Sequence, residues 1–299
     1  MPKRAIFTVL FGDYDELNEL PSNARSDIDA LCFTDDPALA SSTWTVVHVQ
    51  PALPGDPIRS QRLVKILGNE ILANYDETLY LDNSVVLKAD PCDVLDDWLS
   101  DCDVAMPLHS YHETLINEFD AVVEHQLDSP ARVSEQRSHY TEWFPGTLTG
   151  RAVWTAIIAR KNTSAVHEFQ RIWAMHVLRY SRRDQLSVRV AIESSHVAVN
   201  YVDIDNHESS LHSWPALTRR KNEVRNSFFP ESTGDAELLL QRAEAEISHL
   251  KEELFSVWGS LSWKLTRPLR AIGKLIGRLF NRNKEESDSQ GASRAPSIR

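Results

Sequence analysis

The chain has 299 residues, a formal net charge of −11 and 42% hydrophobic residues, enough apolar material for one large α/β domain or two small ones. Three cysteines, Cys32, Cys92 and Cys102, form no Cys-x-x-Cys pair; their odd number argues against a disulfide framework and for a reduced, cytoplasmic setting. The ten glycines build neither Gly-x-Gly-x-x-Gly nor a Walker-type loop, which sets aside dinucleotide-binding and P-loop classes, and the acidic balance sets aside nucleic acid.

Lys3 and Arg4 precede a short apolar run, as in a signal peptide. That run meets Gly12-Asp13 after a few residues, without a small-residue cleavage site, and reads as a first strand over 4–11. Further strands are expected over 28–34, 44–49, 78–82, 84–88 and 103–107. Helices are expected over 57–74, with Pro57 in the first turn, and over 91–99, with Asp90 as cap and Pro91 in the first helical position. From 111 to 142 the pattern is helical, and residues 153–159 read as a strand. Asn162 caps a helix reaching Tyr180, Arg183-Asp184 opens another, and a strand over 197–204 closes the domain. Alternating strands and helices predict an α/β fold with a mostly parallel sheet. No apolar stretch approaches the ~20 residues that span a bilayer.

The segment Tyr80-Leu81-Asp82-Asn83-Ser84-Val85-Val86-Leu87 places a carboxylate and two polar residues between apolar runs. An unpaired buried carboxylate is costly, so the chain leaves the sheet here, either in a plain Asp-Asn turn or to present an anion to a ligand. Asp35-Asp36-Pro37 has the same two readings at the end of the second strand. On the helix over 57–74, Arg59, Arg62 and Lys65 recur in steps of three, a spacing that suits one charged face, solvated or turned to a phosphate. Asp184 suits a helix cap. His109, Tyr111, His112 and Glu113 follow the strand ending at Pro107; their spacing makes no zinc motif.

In this order, Ala5-Ile6-Phe7-Thr8 running into Gly12-Asp13-Tyr14, Asp29 to Asp36, Asp82-Asn83-Ser84 and Arg183-Asp184-Gln185 resemble a hexosyltransferase family of plants and bacteria once catalogued only as a domain of unknown function. More distantly they resemble family 8 glycosyltransferases. The resemblance covers roughly residues 4 to 205 and implies a GT-A-like domain moving a hexose from a nucleotide-sugar to a cell-envelope polysaccharide or glycolipid. The competing class is a non-catalytic or hydrolytic relative with the same fold. The resemblance implies Thr8, Gly12, Tyr14 and Asp35 at the base and ribose, and Arg59, Arg62 and Lys65 at the diphosphate. It further implies Asp184 and Gln185 as catalytic residues, and His109, Glu113 and Arg183 at the acceptor. Mg2+ or Mn2+ is expected on Asp82, with His212 as a second ligand, but Ser84 stands where the usual Asp-x-Asp triplet has its second carboxylate.

Beyond 1–205, residues 206–234 read as an irregular linker. Over 235–261, Leu240, Ala243, Ile247, Leu250, Leu254, Val257 and Leu261 recur at heptad spacing, which suits a helix packed on the domain or a coiled-coil homodimer. Residues 262–284 follow as a basic amphipathic segment, with seven Lys or Arg and no Asp or Glu over 260–284. Its run Ser260-Leu261-Ser262-Trp263-Lys264-Leu265-Thr266-Arg267-Pro268-Leu269-Arg270 resembles the tails of bacterial polysaccharide-assembly glycosyltransferases. Residues 263–282 are expected to lie on an anionic membrane surface at the inner face of the cell membrane. Residues 285–299 read as a disordered tail.

Overall fold

The computed structural model describes residues 2–13, 15–21 and 28–215. Tyr14 and the whole stretch after 215, including the heptad and basic segments, lie outside them. The described chain is a mixed α/β domain whose main sheet has seven strands. β1 (Arg4–Leu10), β2 (Asp29–Thr34) and β3 (Thr45–His48) are parallel neighbours, and β4 (Glu77–Leu81) lies on the other side of β1. Next come β7 (Ile157–Lys161), β6 (Val104–Pro107) and β8 (Val199–Val202), giving the order β3-β2-β1-β4-β7-β6-β8. β7 alone runs antiparallel to its neighbours. The carboxyl ends of β1, β4 and β6 therefore share one edge of the sheet, where β7 begins.

The strands read as near-continuous apolar runs because both faces of the sheet are covered. Along β1, Ala5, Phe7 and Val9 join a core with Tyr80, Ile66, Phe169 and Trp173, whereas Ile6 and Leu10 join Leu79, Val94, Trp98 and Trp154 on the opposite face. The first core lies under α1 (Pro57–Leu67), α6 (Ser164–Arg179) and α7 (Val188–Ser195); the second lies under α2 (Pro91–Trp98). A third cluster, with Leu115, Phe119, Tyr140 and Leu186, joins α3 (Leu115–Glu124), α4 (Pro130–Trp143) and α5 (Pro145–Thr149).

Several expected boundaries shift for local reasons. The helix expected over 57–74 ends at Leu67, because Gly68 adopts φ 80° and turns the chain into a 3-10 segment, Glu70–Asn74, capped by Asn69. Arg160 on β7, buried, donates to the carbonyls of Lys65 and Ile66, both at 2.8 Å, and so satisfies the carboxyl end of α1. Thr163, not Asn162, caps α6. The strand expected over 84–88 shrinks to β5 (Val86–Leu87) and stays out of the main sheet. It pairs with β9 (His212–Ser213), so the stretch read as linker from 206 folds back onto the loop after β4.

Candidate active site

The loop after β4 is tied down by hydrogen bonds within the protein. Asp82 donates its N–H to Ala156 O, while one carboxylate oxygen, Oδ1, accepts from Ser84 N at 3.1 Å and Ser84 Oγ at 2.8 Å. Ser84 is buried, and its hydroxyl also accepts from Trp214 Nε1 at 3.0 Å. Asn83 accepts from Asn18 N and donates to Glu16 O, which stitches this loop to the one after β1. Burial disfavours a charged Asp82. The charges of Arg62 and Lys65, with the two Ser84 hydrogen bonds, outweigh it and hold the carboxyl below its usual range.

Asp184 lies behind that loop, 2% exposed, in a 3-10 turn, Asp184–Leu186, between α6 and α7. Its Oδ2 pairs with Lys65 Nζ and accepts from Thr155 Oγ1 at 3.2 Å, and its Oδ1 lies 3.4 Å from Arg62 Nε. Lys65 also donates to Thr155 Oγ1 at 3.0 Å and stands over the Tyr80 ring. Burial pushes the Lys65 ammonium down to about 8, against the pull of Asp184. For Asp184, burial raises the carboxyl, but Lys65 and Arg62 hold it far below the usual carboxylate range. A general base needs an open position and a proton affinity near the working pH. Here Asp184 is enclosed and held ionised by its two cations, and its side chain caps no helix. The carboxylate expected as base is thus buried against Lys65 and Arg62 as their counterion.

The three cations of α1 separate. A step of three residues falls about 60° short of a full helical turn, so six residues turn Arg59 about 120° from Lys65. Arg59 donates to the carbonyls of Val177 and Tyr180 and pairs with Asp56 at 2.6 Å; it pins α1 to α6 and is not brought to Asp82. Arg62 and Lys65 are. Thr8 is buried, its hydroxyl without a hydrogen-bond partner, and lines a small cavity with Asn18, Trp44 and Asp82. Gly12, at φ 81°, donates its N–H to Asp35 Oδ1 at 2.9 Å, which joins the ends of β1 and β2. His212 is fully buried and both its ring nitrogens are engaged, with Asn206 O at 3.0 Å and Ser209 Oγ at 2.8 Å. It holds its own loop and offers no lone pair to a metal. Gln185 accepts from Arg183 Nη2 at 3.3 Å, and Arg183 Nε is buried without a hydrogen-bond partner.

At the end of β6, His109 and His112 stack with ring centroids 4.3 Å apart. Both face Glu118, whose Oε2 lies 3.8 Å from His109 Nε2 and 2.6 Å from His112 Nδ1. Burial first, then the neighbouring His112, Arg183 and Arg151, outweigh the pull of Glu118 and push the His109 imidazole down to about 4. Arg183 and His109 are thus within electrostatic reach. Glu113, expected here, is exposed, and the carboxylate that meets the imidazoles is Glu118 on α3. A signal for Glu118 was present: it stands between Leu115, Phe119 and Val122 on the apolar side of an amphipathic helix, where a carboxylate needs a partner. Thr155 and Trp214 carried no comparable signal.

One family model, described as TOD1/MUCI70, glycosyltransferase-like domain, matches residues 32–204. That span takes in Arg62, Lys65, Asp82, His109, Glu118 and Asp184. No curated protein matches the chain.

Proposed function

The chain belongs to the TOD1/MUCI70 glycosyltransferase-like family, and on that premise we propose that it transfers a hexose from a nucleotide-sugar to a cell-envelope polysaccharide or glycolipid. One observation supports this reading above the others. Arg62, Lys65, Asp82 and Asp184 form a compact set of two cations and two carboxylates at the carboxyl edge of the sheet. Ligands of open α/β sheets bind at that edge.

Transfer breaks the bond between the anomeric carbon and the diphosphate, and negative charge collects on the leaving group. Cations fixed beforehand stabilise that charge without reorganisation. Arg62, less enclosed than Lys65, supplies the contact, its planar fork suiting phosphate oxygens. Lys65 and Asp184 hold it in place from behind. The loops bearing Thr8, Gly12 and Asp35 receive the base and ribose. Arg183, with its unpartnered Nε, faces the acceptor side together with His109.

A divalent ion fits this donor set poorly. Asp82 has one oxygen committed to Ser84, the Ser84 hydroxyl is itself committed, and His212 has no nitrogen to give. No step is therefore assigned to Mg2+ or Mn2+, and the cationic side chains carry the charge. The basic segment over 263–282 would hold the enzyme at the anionic inner surface of the cell membrane, with residues 240–261 as spacer or dimer seam. No helix among the described residues is long and apolar enough to cross a membrane.

Calorimetric titration with UDP-, GDP- and dTDP-hexoses, with and without Mn2+, tests the reading. At least one donor should bind, and Arg62→Ala should weaken it by about 10–100-fold, the worth of a charge-assisted contact. Absence of binding across the panel would sink the transferase reading.

A further inference from the structure

Building on the transferase reading, we propose that His112 is the base that takes the proton of the acceptor hydroxyl. Glu118 positions it, and Tyr111, His207 and Trp214 form the platform on which the acceptor sugar lies.

The tautomers follow from hydrogen-bond partners. His109 Nδ1 accepts from the N–H groups of Tyr111 and His112, each at 3.2 Å. A neutral imidazole that accepts at Nδ1 carries its proton on Nε2, so His109 presents an N–H, not a lone pair, toward Glu118. This disposition does not suit a cation shared by the three side chains. His112 differs. Its Nδ1 lies 2.6 Å from the buried Glu118 carboxylate, which draws the proton to that nitrogen and leaves the lone pair on Nε2. His112 Nε2 makes no hydrogen bond among the described residues, and the side chain is only half-buried. A carboxylate that orients an imidazole and stabilises the imidazolium formed later is the arrangement of an activated base.

The surroundings supply a place for the sugar. Tyr111, 48% exposed, lies 5.4 Å from His109 and 4.9 Å from His207, ring to ring. His207 lies 5.2 Å from Trp214, whose indole N–H reaches Ser84 and, through it, Asp82. A run of mutually tilted rings, 57° between Tyr111 and His207 and 30° between His207 and Trp214, therefore leads from the Asp82 loop to the His112–Glu118 pair. The exposed ring faces of Tyr111 and His207, with polar neighbours, suit the apolar C–H side of a pyranose. In the reaction the acceptor oxygen forms the new bond to the anomeric carbon. The nucleoside diphosphate leaves with the electrons of the broken bond, and the hydroxyl proton passes to His112 Nε2 and then to solvent.

The test uses the full chain, the donor identified by titration, and methyl hexopyranosides or water as acceptors. Release of nucleoside diphosphate is followed alongside donor affinity. His112→Ala should keep donor affinity within about twofold while turnover falls by ~10²–10⁴-fold, and added imidazole should restore part of it. Glu118→Gln should lower turnover in the same direction with donor affinity kept. Intact donor binding with His112→Ala turning over like the wild type, or with no response to imidazole, overturns the assignment. A wild-type chain that binds no donor overturns the transferase reading itself, and this outcome is read from a different arm of the experiment.

Discussion

Two buried carboxylates stand at the same edge of the sheet, and their partners give them different chemistry. Asp184 is met by Lys65, Arg62 and the Thr155 hydroxyl. Glu118 is met by two imidazoles. The first set carries charge at neutral pH and holds it still, which suits charge stabilisation at a leaving group. The second joins a carboxylate to imidazole nitrogens, the side-chain groups that most readily serve as proton carriers. Burial alone does not tell such carboxylates apart. The ionisation range of the groups facing them does.

The sharpest way to break this comparison is to remove each carboxylate. Asp184→Ala removes the carboxylate that Lys65 and Arg62 share and leaves Asp82 to face both largely buried cations, and the loss should be about 3–5 kcal/mol of unfolding free energy. Glu118→Gln leaves imidazoles that can stay neutral and should cost about 1–3 kcal/mol. Urea unfolding of both variants measures the gap, and equal losses would erase the distinction.

A second contrast is in pH. Lys65, held down to about 8, loses its charge as pH rises through that value. Donor affinity should then fall above pH 8, by at most about tenfold per unit, because a neutral Lys65 no longer balances Asp184 behind Arg62. His109 behaves oppositely in stability. Its folded value of about 4 lies below the unfolded one near 6.5, so the unfolded chain binds more protons between them, and this contribution declines as pH falls through that window. Calorimetry from pH 7 to 9.5 and unfolding from pH 7 to 4 check the two halves; a flat donor affinity would remove Lys65 from the diphosphate site.

The smallest effect concerns Thr155, which bridges Lys65 and Asp184. Thr155→Val keeps the shape and removes the hydroxyl, for an expected loss of about 1 kcal/mol with the ion pair intact. Thermal unfolding reads it, and a loss as large as that of Asp184→Ala would mean that the hydroxyl, not the charges, holds the cluster.

Much of this arrangement was legible along the chain, and the reasons are local. Apolar strand runs, Pro57 and Pro91 at helix starts and the cap at Asp90 predicted the α/β alternation, because each acts within a few residues. Asp82 and Asp184 stood out as carboxylates beside apolar segments. Their roles did not. Asp184 reads as cap or base in isolation, and only the crossing of α1 past the turn after α6 brings Lys65 and Arg62 onto it. Arg59 reads as the equal of Arg62 until the helix is placed against α6. His212 reads as a free ligand until the return of the chain buries it.

What the sequence by itself determined is the class of the fold and the residue types available at the edge of its sheet, since periodicity, caps and turn residues act over short distances. Which of those residues meet was decided by tertiary structure alone. Lys65 and Asp184 are more than a hundred positions apart, as are Ser84 and Trp214, and His112 depends on a helix that begins after it. Charges and hydrogen bonds act over a few ångströms of space, and separation along the chain does not report that distance until the sheet order and helix packing are set.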